Sequence, residues 1–563
     1  MYHLYLLERQ YGKFLMIGLA LVIGLGAGFG AVLFRYLIDF ITRVSFVDGK
    51  VIFSSFNFLY ILLIPAIGGL IVGPLTYFLA REAKGHGVPE VMAAVTFNKG
   101  RIRPRVIFVK SLASAITIGT GGSAGREGPI VQIGSGIGSA LGQLLKLSAE
   151  NIRLLVACGA AGGISATFNA PIAGTMFGLE IILGKYNSSY FIPTIVSSVT
   201  AASVSRSILG DSPAFRIPPL ALNSYYELVL FAVLGVVGGL FAILYIKTLY
   251  GIEDVFDKVT IPPYVKPALG GLIVGLIGVF YPQVMGTGYE FIESAIAGKM
   301  GIALLAVLCI LKLLATSFSI GSGGSGGVFA PGLFMGAMLG GTFGYVFHSI
   351  FGGGITPIGA YALAGMGAIF AATAHAPLTA IIMLFELTDG YHLILPIMIT
   401  CGIATLVSTH LHKESIYTVK LKRRGLDILS IRESELNTVR IKDIMTEDVV
   451  FVEKQYTISQ TVDKMRHTGH FTMPVMDNGN MVGIIAYKDI VNAIINGNED
   501  DTIGKYMTKN VVTIWPEATL REALLIMGDD DISKLPVMED GKLVGIVSRN
   551  DILKASHTIV KAA

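Results

Sequence analysis

The sequence predicts an all-α polytopic membrane domain of two homologous halves of broken helices, followed by an α/β tandem module. Three observations predict it: a surplus of apolar residues, glycine-broken apolar runs that echo one another, and a tail that repeats at a fixed offset. Hydrophobic residues make up 53% of the chain and charged residues 15%, against about 25% charged in an average soluble domain. Of 82 Asp, Glu, Lys and Arg residues, 42 follow residue 410, so two materials are joined in one chain. The expected limits are 1–425 for the membrane domain and 426–563 for the tail.

The apolar runs 14–32, 59–79, 228–245 and 363–387 are close to the ~20 residues a helix needs to cross hydrocarbon. The first is too long for a secretory signal and lacks a small-residue cleavage pattern, so it reads as a retained span. The stretches 108–140 and 320–350 are interrupted by glycine, which membrane helices tolerate where backbone lines a protected cavity. Lys420, Lys422, Arg423 and Arg424 follow the last apolar run. With Arg9 and Lys13 near the start, they place both termini in the cytosol of a multi-pass protein of the cell membrane. The basic cluster is local, and no nucleic-acid partner is expected. Cys158, Cys309 and Cys401 stand alone in apolar segments, without metal-type spacing.

Gly122-Ser-Ala-Gly-Arg-Glu-Gly-Pro129 is answered by Gly324-Ser-Gly-Gly-Val-Phe-Ala-Pro331. Ala170-Pro171 with Glu180 is answered by Ala376-Pro377 with Glu386. Two homologous halves follow; inversion is the relation transporters commonly use, although the motifs alone do not fix it. The tail repeats at an offset of 62: Met445 with Met507, Pro474 with Pro536, Gly483 with Gly545, Asp489 with Asp551. Each unit runs from a helical stretch (458–466, 520–527) into a β-rich run that ends at a helix start (481–489, 543–551). These units, about 440–497 and 502–558, resemble a pair of CBS domains.

Three glycine-rich breaks, Gly85-His-Gly-Val-Pro-Glu90 and the two octets above, each carry a proline near a plausible helix start. Proline suits the first helical turn and glycine exposes backbone N–H groups, so each break can aim the positive end of a helix at an anion. Dipoles and amides hold an ion loosely enough for passage, whereas full cationic charges would retain it.

In order and spacing, Gly85–Glu90, Gly125-Arg-Glu-Gly-Pro129, Gly327-Val-Phe-Ala-Pro331 and Tyr417 resemble the signature of the CLC chloride channels and chloride/proton exchangers. The likeness spans about residues 10–425. It implies chloride as the permeant ion, a lipid environment, and a homodimer with one pore per subunit. It implies further that Glu127 is a gating carboxylate that occupies an anion position and swings away when protonated or displaced. His86, Gly87, Val88, Pro89, Arg126, Gly128, Val328, Phe329 and Tyr417 become the expected anion-binding positions, with the Val328 and Phe329 amides and the Tyr417 hydroxyl facing the ion.

Two departures stand out. His86 replaces the serine of most chloride-selective members, so preference for fluoride or nitrate, or pH dependence, becomes an alternative to plain chloride selectivity. Ile181 follows Glu180 where many exchangers have a proton-accepting glutamate; an aliphatic side chain relays no proton, which points to uncoupled or weakly coupled conduction over stoichiometric antiport. Glu180 is either an alternative proton position or structural. In the tail, Ser548-Arg549-Asn-Asp551 fits the hydroxyl and carboxylate with which CBS pairs hold ATP, ADP or AMP; Asp489 lacks the hydroxyl, since Ala486 stands there, so one occupied site is expected rather than two. The alternative is an empty, structural tail. No nucleophile–base pair or ligand cluster suggests an enzyme or a required cofactor, with His86, His375 and His410 scattered. A carrier of organic solutes is the stronger rival, and a magnesium transporter would need more acidic residues along its path.

Overall fold

The computed structural model describes residues 2–49, 57–186, 188–211, 215, 220–352, 354–388, 391–426, 439–495, 498–529, 532–552 and 555. The expected repeat limits 497 and 558 lie outside the described residues, as do the side chains of Arg9 and Lys13. The chain divides into two compact units, Met1–Leu426 and Asp427–Ala563.

The first unit is helical, and its two halves run through matching elements in the same order. The first half comprises α1 (Tyr2–Arg43), α2 (Asn57–Pro74), α3 (Val88–Phe97), α4 (Arg105–Gly119), α5 (Glu127–Leu144), α6 (Ala149–Phe168), α7 (Pro171–Phe177) and α8 (Ser188–Leu209). The second comprises α9 (Leu228–Lys258), α10 (Lys266–Phe280), α11 (Tyr289–Ile296), α12 (Ile302–Gly321), α13 (Phe329–Phe351), α14 (Ile358–Ala374), α15 (Pro377–Thr388) and α16 (Ile394–Leu411). A short α17 (Thr418–Lys422) follows. Among the described residues, eight helices are long and apolar enough to cross a membrane. On α1, Phe29, Leu33, Tyr36 and Phe40 form an exposed stripe at helical spacing, as expected of a lipid-facing side.

The run 363–387 is not one span. It breaks at His375, which closes α14 in the left-handed conformation (φ 54°), and Pro377 opens α15. The first half breaks identically at Asn169 (φ 58°) and Pro171. Proline cannot continue a helix but fits its first turn, so hydropathy reads through a boundary that the backbone cannot cross.

The second unit holds two repeats. In the first, β1 (Val452–Glu453) pairs parallel to β2 (Thr472–Asp477), which pairs antiparallel to β3 (Asn480–Ala486); α18 (Ile458–Thr468) and α19 (Tyr487–Ile495) flank them. In the second, α20 (Leu520–Asp529) precedes the antiparallel pair β4 (Lys534–Glu539) and β5 (Lys542–Ser548). The register shifts at Val475/Met476 and again at Val537/Met538, 62 residues apart. The repeats also exchange backbone: Thr446 of the first pairs with Ile546 of the second, and Thr508 with Ile484. Gly483 and Gly545 admit Met507 and Met445, whose sulfurs would lie 2.7 and 2.6 Å from a Cβ there. The fixed offset is thus the mark of a two-fold interface.

Candidate functional site

The glycine breaks of the two halves meet each other. Gly125 N–H donates to Gly327 O (2.8 Å) and Gly327 N–H to Gly125 O (2.6 Å), an antiparallel exchange of the kind a two-fold axis generates. The Gly85 loop joins them, with Gly85 N–H on Gly324 O (2.9 Å) and Gly326 N–H on Gly85 O (3.2 Å). Side chains repeat the symmetry. Ser114 bonds Ser325 at 2.8 Å and Thr316 bonds Ser123 at 3.0 Å, while Ser123 N–H reaches Ser319 and Ser325 N–H reaches Thr117. Lys110 is buried in α4 and donates to Ala83 O and Gly85 O; Lys312 is buried in α12 and donates to Val284 O and Gly286 O. Each ammonium satisfies carbonyls that the irregular backbone leaves without ladder partners.

This scaffold brings the starts of α3, α5 and α13 to one constricted cavity, lined by His86, Val88, Glu127, Gly128, Phe177, Val328, Phe329 and Tyr417. Each helix start carries roughly half a positive elementary charge; at α3 the Val88 and Glu90 N–H groups are themselves taken by His86 O (3.0 Å) and Gly87 O (3.1 Å). Among the described residues no lysine or arginine is in the lining, so the cavity offers an anion amides and dipoles. Gly128 has no room for a side chain: a Cβ would lie 2.1 Å from His86 O. Gly87 is the N-cap of α3 at φ 82° and Pro89 lies in its first turn; they shape the start of α3 without lining the cavity.

Glu127 is 1% exposed. One carboxylate oxygen accepts from the Tyr289 hydroxyl and the other from Ala330 N–H at 3.2 Å. Arg126 turns away from the cavity. Its guanidinium lies 4.9 Å over the Tyr289 ring and donates to Thr167 O. Phe329 packs on Phe168 and Phe370, with centroids 5.3 and 4.2 Å away. The Tyr417 ring lies 5.8 Å from His86, whose Nε2 meets the Tyr250 hydroxyl at 3.2 Å. The structure therefore gathers His86, Val88, Glu127, Gly128, Val328, Phe329 and Tyr417, and leaves Arg126, Gly87 and Pro89 as supports.

Glu180 sits elsewhere, with its oxygens on Leu378 N–H (3.3 Å), Thr379 N–H (2.7 Å) and the Thr379 hydroxyl (2.6 Å), where they cap α15. Glu386 returns the contact, taking Ile172 N–H (3.0 Å) and Ala173 N–H (2.7 Å) at the start of α7. Ile181 is buried. In the second unit, Asp489 and Lys534 line a cavity of about 400 Å³ between the repeats, together with Thr472, Tyr487 and Thr508. Ser548 and Asp551 are engaged with each other, the hydroxyl donating to the carboxylate at 2.7 Å. Arg549 donates to Met527 O at 2.8 Å. Burial holds the Lys534 ammonium below the usual lysine range while Asp551 pulls it the other way.

Sequence reasoning missed Tyr289, Lys110 and Lys312. A signal existed: Gly286-Thr-Gly-Tyr289 repeats Gly85-His-Gly-Val88 at an offset of 201, and the two lysines stand 202 apart.

The sequence profile of the voltage gated chloride channel family matches residues 68–409, and that of the CBS domain matches 441–496 and 503–558. The H(+)/Cl(-) exchange transporter ClcA of Vibrio parahaemolyticus is 33% identical over 442 residues, covering 76% of this chain and 94% of that protein. Chloride channel protein CLC-f of Arabidopsis thaliana is 29% identical over 576 residues, covering 88% of this chain and 72% of its own. The crystal structure of a slow cyanobacterial Cl-/H+ antiporter aligns with TM-score 0.66 at 28% identity, over 74% of this chain and 99% of that one.

Proposed function

The chain belongs to the voltage gated chloride channel family and is a multi-pass membrane protein, and from that premise we propose that it passes chloride through a pore gated by Glu127. The supporting observation is the cavity in which three helix starts and Tyr417 surround one carboxylate. Amides from both halves substitute for water around the ion, and Glu127 competes for the same dipoles. When the carboxylate is protonated or displaced, the anion takes its seat. Phe329 and Tyr417 bound the seat on two sides, with the Val328 and Phe329 amides directed to the ion.

Ile181 offers no proton carrier, so conduction is uncoupled or only weakly proton-coupled. The protein works as a homodimer in the cell membrane with both termini cytosolic, and the CBS pair binds an adenine nucleotide that adjusts the pore. The test is chloride efflux from liposomes holding the full chain. Efflux that ignores organic solutes, and that loses its pH dependence in Glu127→Gln, is the expected result. Flux of organic solutes without chloride, or an unchanged pH profile in the variant, overturns the proposal.

A further inference from the structure

If position 181 cannot carry a proton, any proton that moves with the anion needs another carrier. His86 lines the central cavity with Glu127 and Tyr417. It also lines a second cavity of about 40 Å³, with Lys84, Tyr250, Glu253 and Lys420. Among the described linings it is the one residue common to both. The Tyr250 hydroxyl donates to Ile416 O at 2.5 Å, so its oxygen is the acceptor toward His86 Nε2. A hydroxyl has one proton to give; Nε2 therefore carries the imidazole N–H and Nδ1 holds the lone pair. Nδ1 is buried and, among the described residues, has no hydrogen-bond partner. A buried acceptor left unpaired is costly, and functional sites are where such groups persist.

We propose that His86 is the proton carrier between the second cavity and Glu127, an inference that rests on the pore reading above. A proton from the second cavity binds Nδ1 and gives an imidazolium whose Nε2–H still reaches Tyr250. Glu127 leaves Tyr289 and Ala330, and the same proton passes from Nδ1 to a carboxylate oxygen. The ring returns to neutral, and the neutral acid no longer competes with the anion. The charges acting on the ring are Lys420, Lys110 and Arg424. Glu90 pairs with Lys420 and Arg424, Glu253 lies in the second cavity, and the phenols of Tyr250 and Tyr417 adjoin the ring. An imidazolium among these cations is balanced by an anion in the central cavity, which ties proton uptake to anion occupancy.

The full chain in liposomes, with chloride and pH recorded together, tests this. In the weakly coupled form of the pore reading, a chloride gradient drives protons uphill in the wild type, with few protons moved per chloride. In His86→Gln the side-chain amide keeps a donor toward Tyr250 but accepts no proton, so the protons moved per chloride fall to the level of protein-free vesicles, whatever the chloride rate. Chloride flux without chloride-driven proton movement in the wild type overturns the relay alone, as does a ratio that survives His86→Gln. Absence of chloride flux in the wild type overturns the pore reading and the relay together. Should His86→Gln pass no chloride, ¹⁵N spectra of the wild-type imidazole decide: an unprotonated Nδ1 that gains a proton when chloride is added supports the relay, and an Nδ1 indifferent to chloride overturns it.

Discussion

Glu127 belongs to the first half, yet two groups that hold its carboxylate, the Tyr289 hydroxyl and the Ala330 amide, belong to the second. A hydrogen bond to a charged group is worth about 1.5–3 kcal/mol, or roughly ten- to a hundredfold in how often the carboxylate leaves its seat. Tyr289→Phe keeps the ring under Arg126 and removes only the hydroxyl. Chloride efflux at neutral pH should rise and its activation by acid should shift toward neutral pH; an efflux and a pH profile equal to wild type would count against the latch. Glu127, His86 and Phe329 were legible because each sits inside a glycine motif, and Tyr417 because the family resemblance reaches just past the last apolar run. Tyr289 was not, because its motif keeps only the two glycines of the Gly85 loop while the side chains between them differ. Lys110 and Lys312 escaped for another reason: a search for apolar runs treats a lone lysine as an interruption, whereas here its ammonium is what makes the irregular backbone affordable.

At the scale of elements, the halves are fastened by exchanged caps. Glu180 caps α15 of the second half and Glu386 caps α7 of the first, so the leading N–H groups of each short helix, Leu378 and Thr379 or Ile172 and Ala173, are met from the other half. Losing an N-cap costs about 0.5–2 kcal/mol. Glu180→Ala and Glu386→Ala should each lower the thermal unfolding midpoint in detergent, with Glu180→Ala the larger because it also strands the Thr379 hydroxyl. A midpoint unmoved in both variants would show that the caps hold nothing. Breaks carrying proline or glycine were readable from the chain, and so was the spacing of Glu180 and Glu386. Which half each carboxylate serves was not, because the exchange appears only once the halves are folded against each other. The run 363–387 failed for a related reason, since mean hydropathy carries no information on a residue such as His375 that reverses the sign of φ.

Over the whole molecule, the same device recurs in two unlike materials. The helical unit is joined by paired glycine backbones and the α/β unit by paired threonine bridges, so in both a cavity forms where two repeats meet. For the second unit this decides where a nucleotide would go. The sequence favours the Ser548 side, because that repeat keeps the hydroxyl. The geometry favours the Asp489 side: Ser548 and Asp551 satisfy one another, whereas Asp489 and the Lys534 ammonium border open space. Burial shifts the Lys534 ammonium below the usual lysine range and Asp551 opposes that shift, as an arriving phosphate would. Asp489→Asn removes the ribose acceptor, and losing a charged hydrogen bond of about 1.5–3 kcal/mol weakens affinity ten- to a hundredfold. Calorimetric titration of the full chain with ATP, ADP and AMP should show binding of at least one that Asp489→Asn weakens and Asp551→Asn leaves within a few-fold of wild type, with chloride efflux responding to the same nucleotide. The reverse ranking of the two variants would place the ligand at Ser548, and no heat with any of the three would make the pair a structural tail.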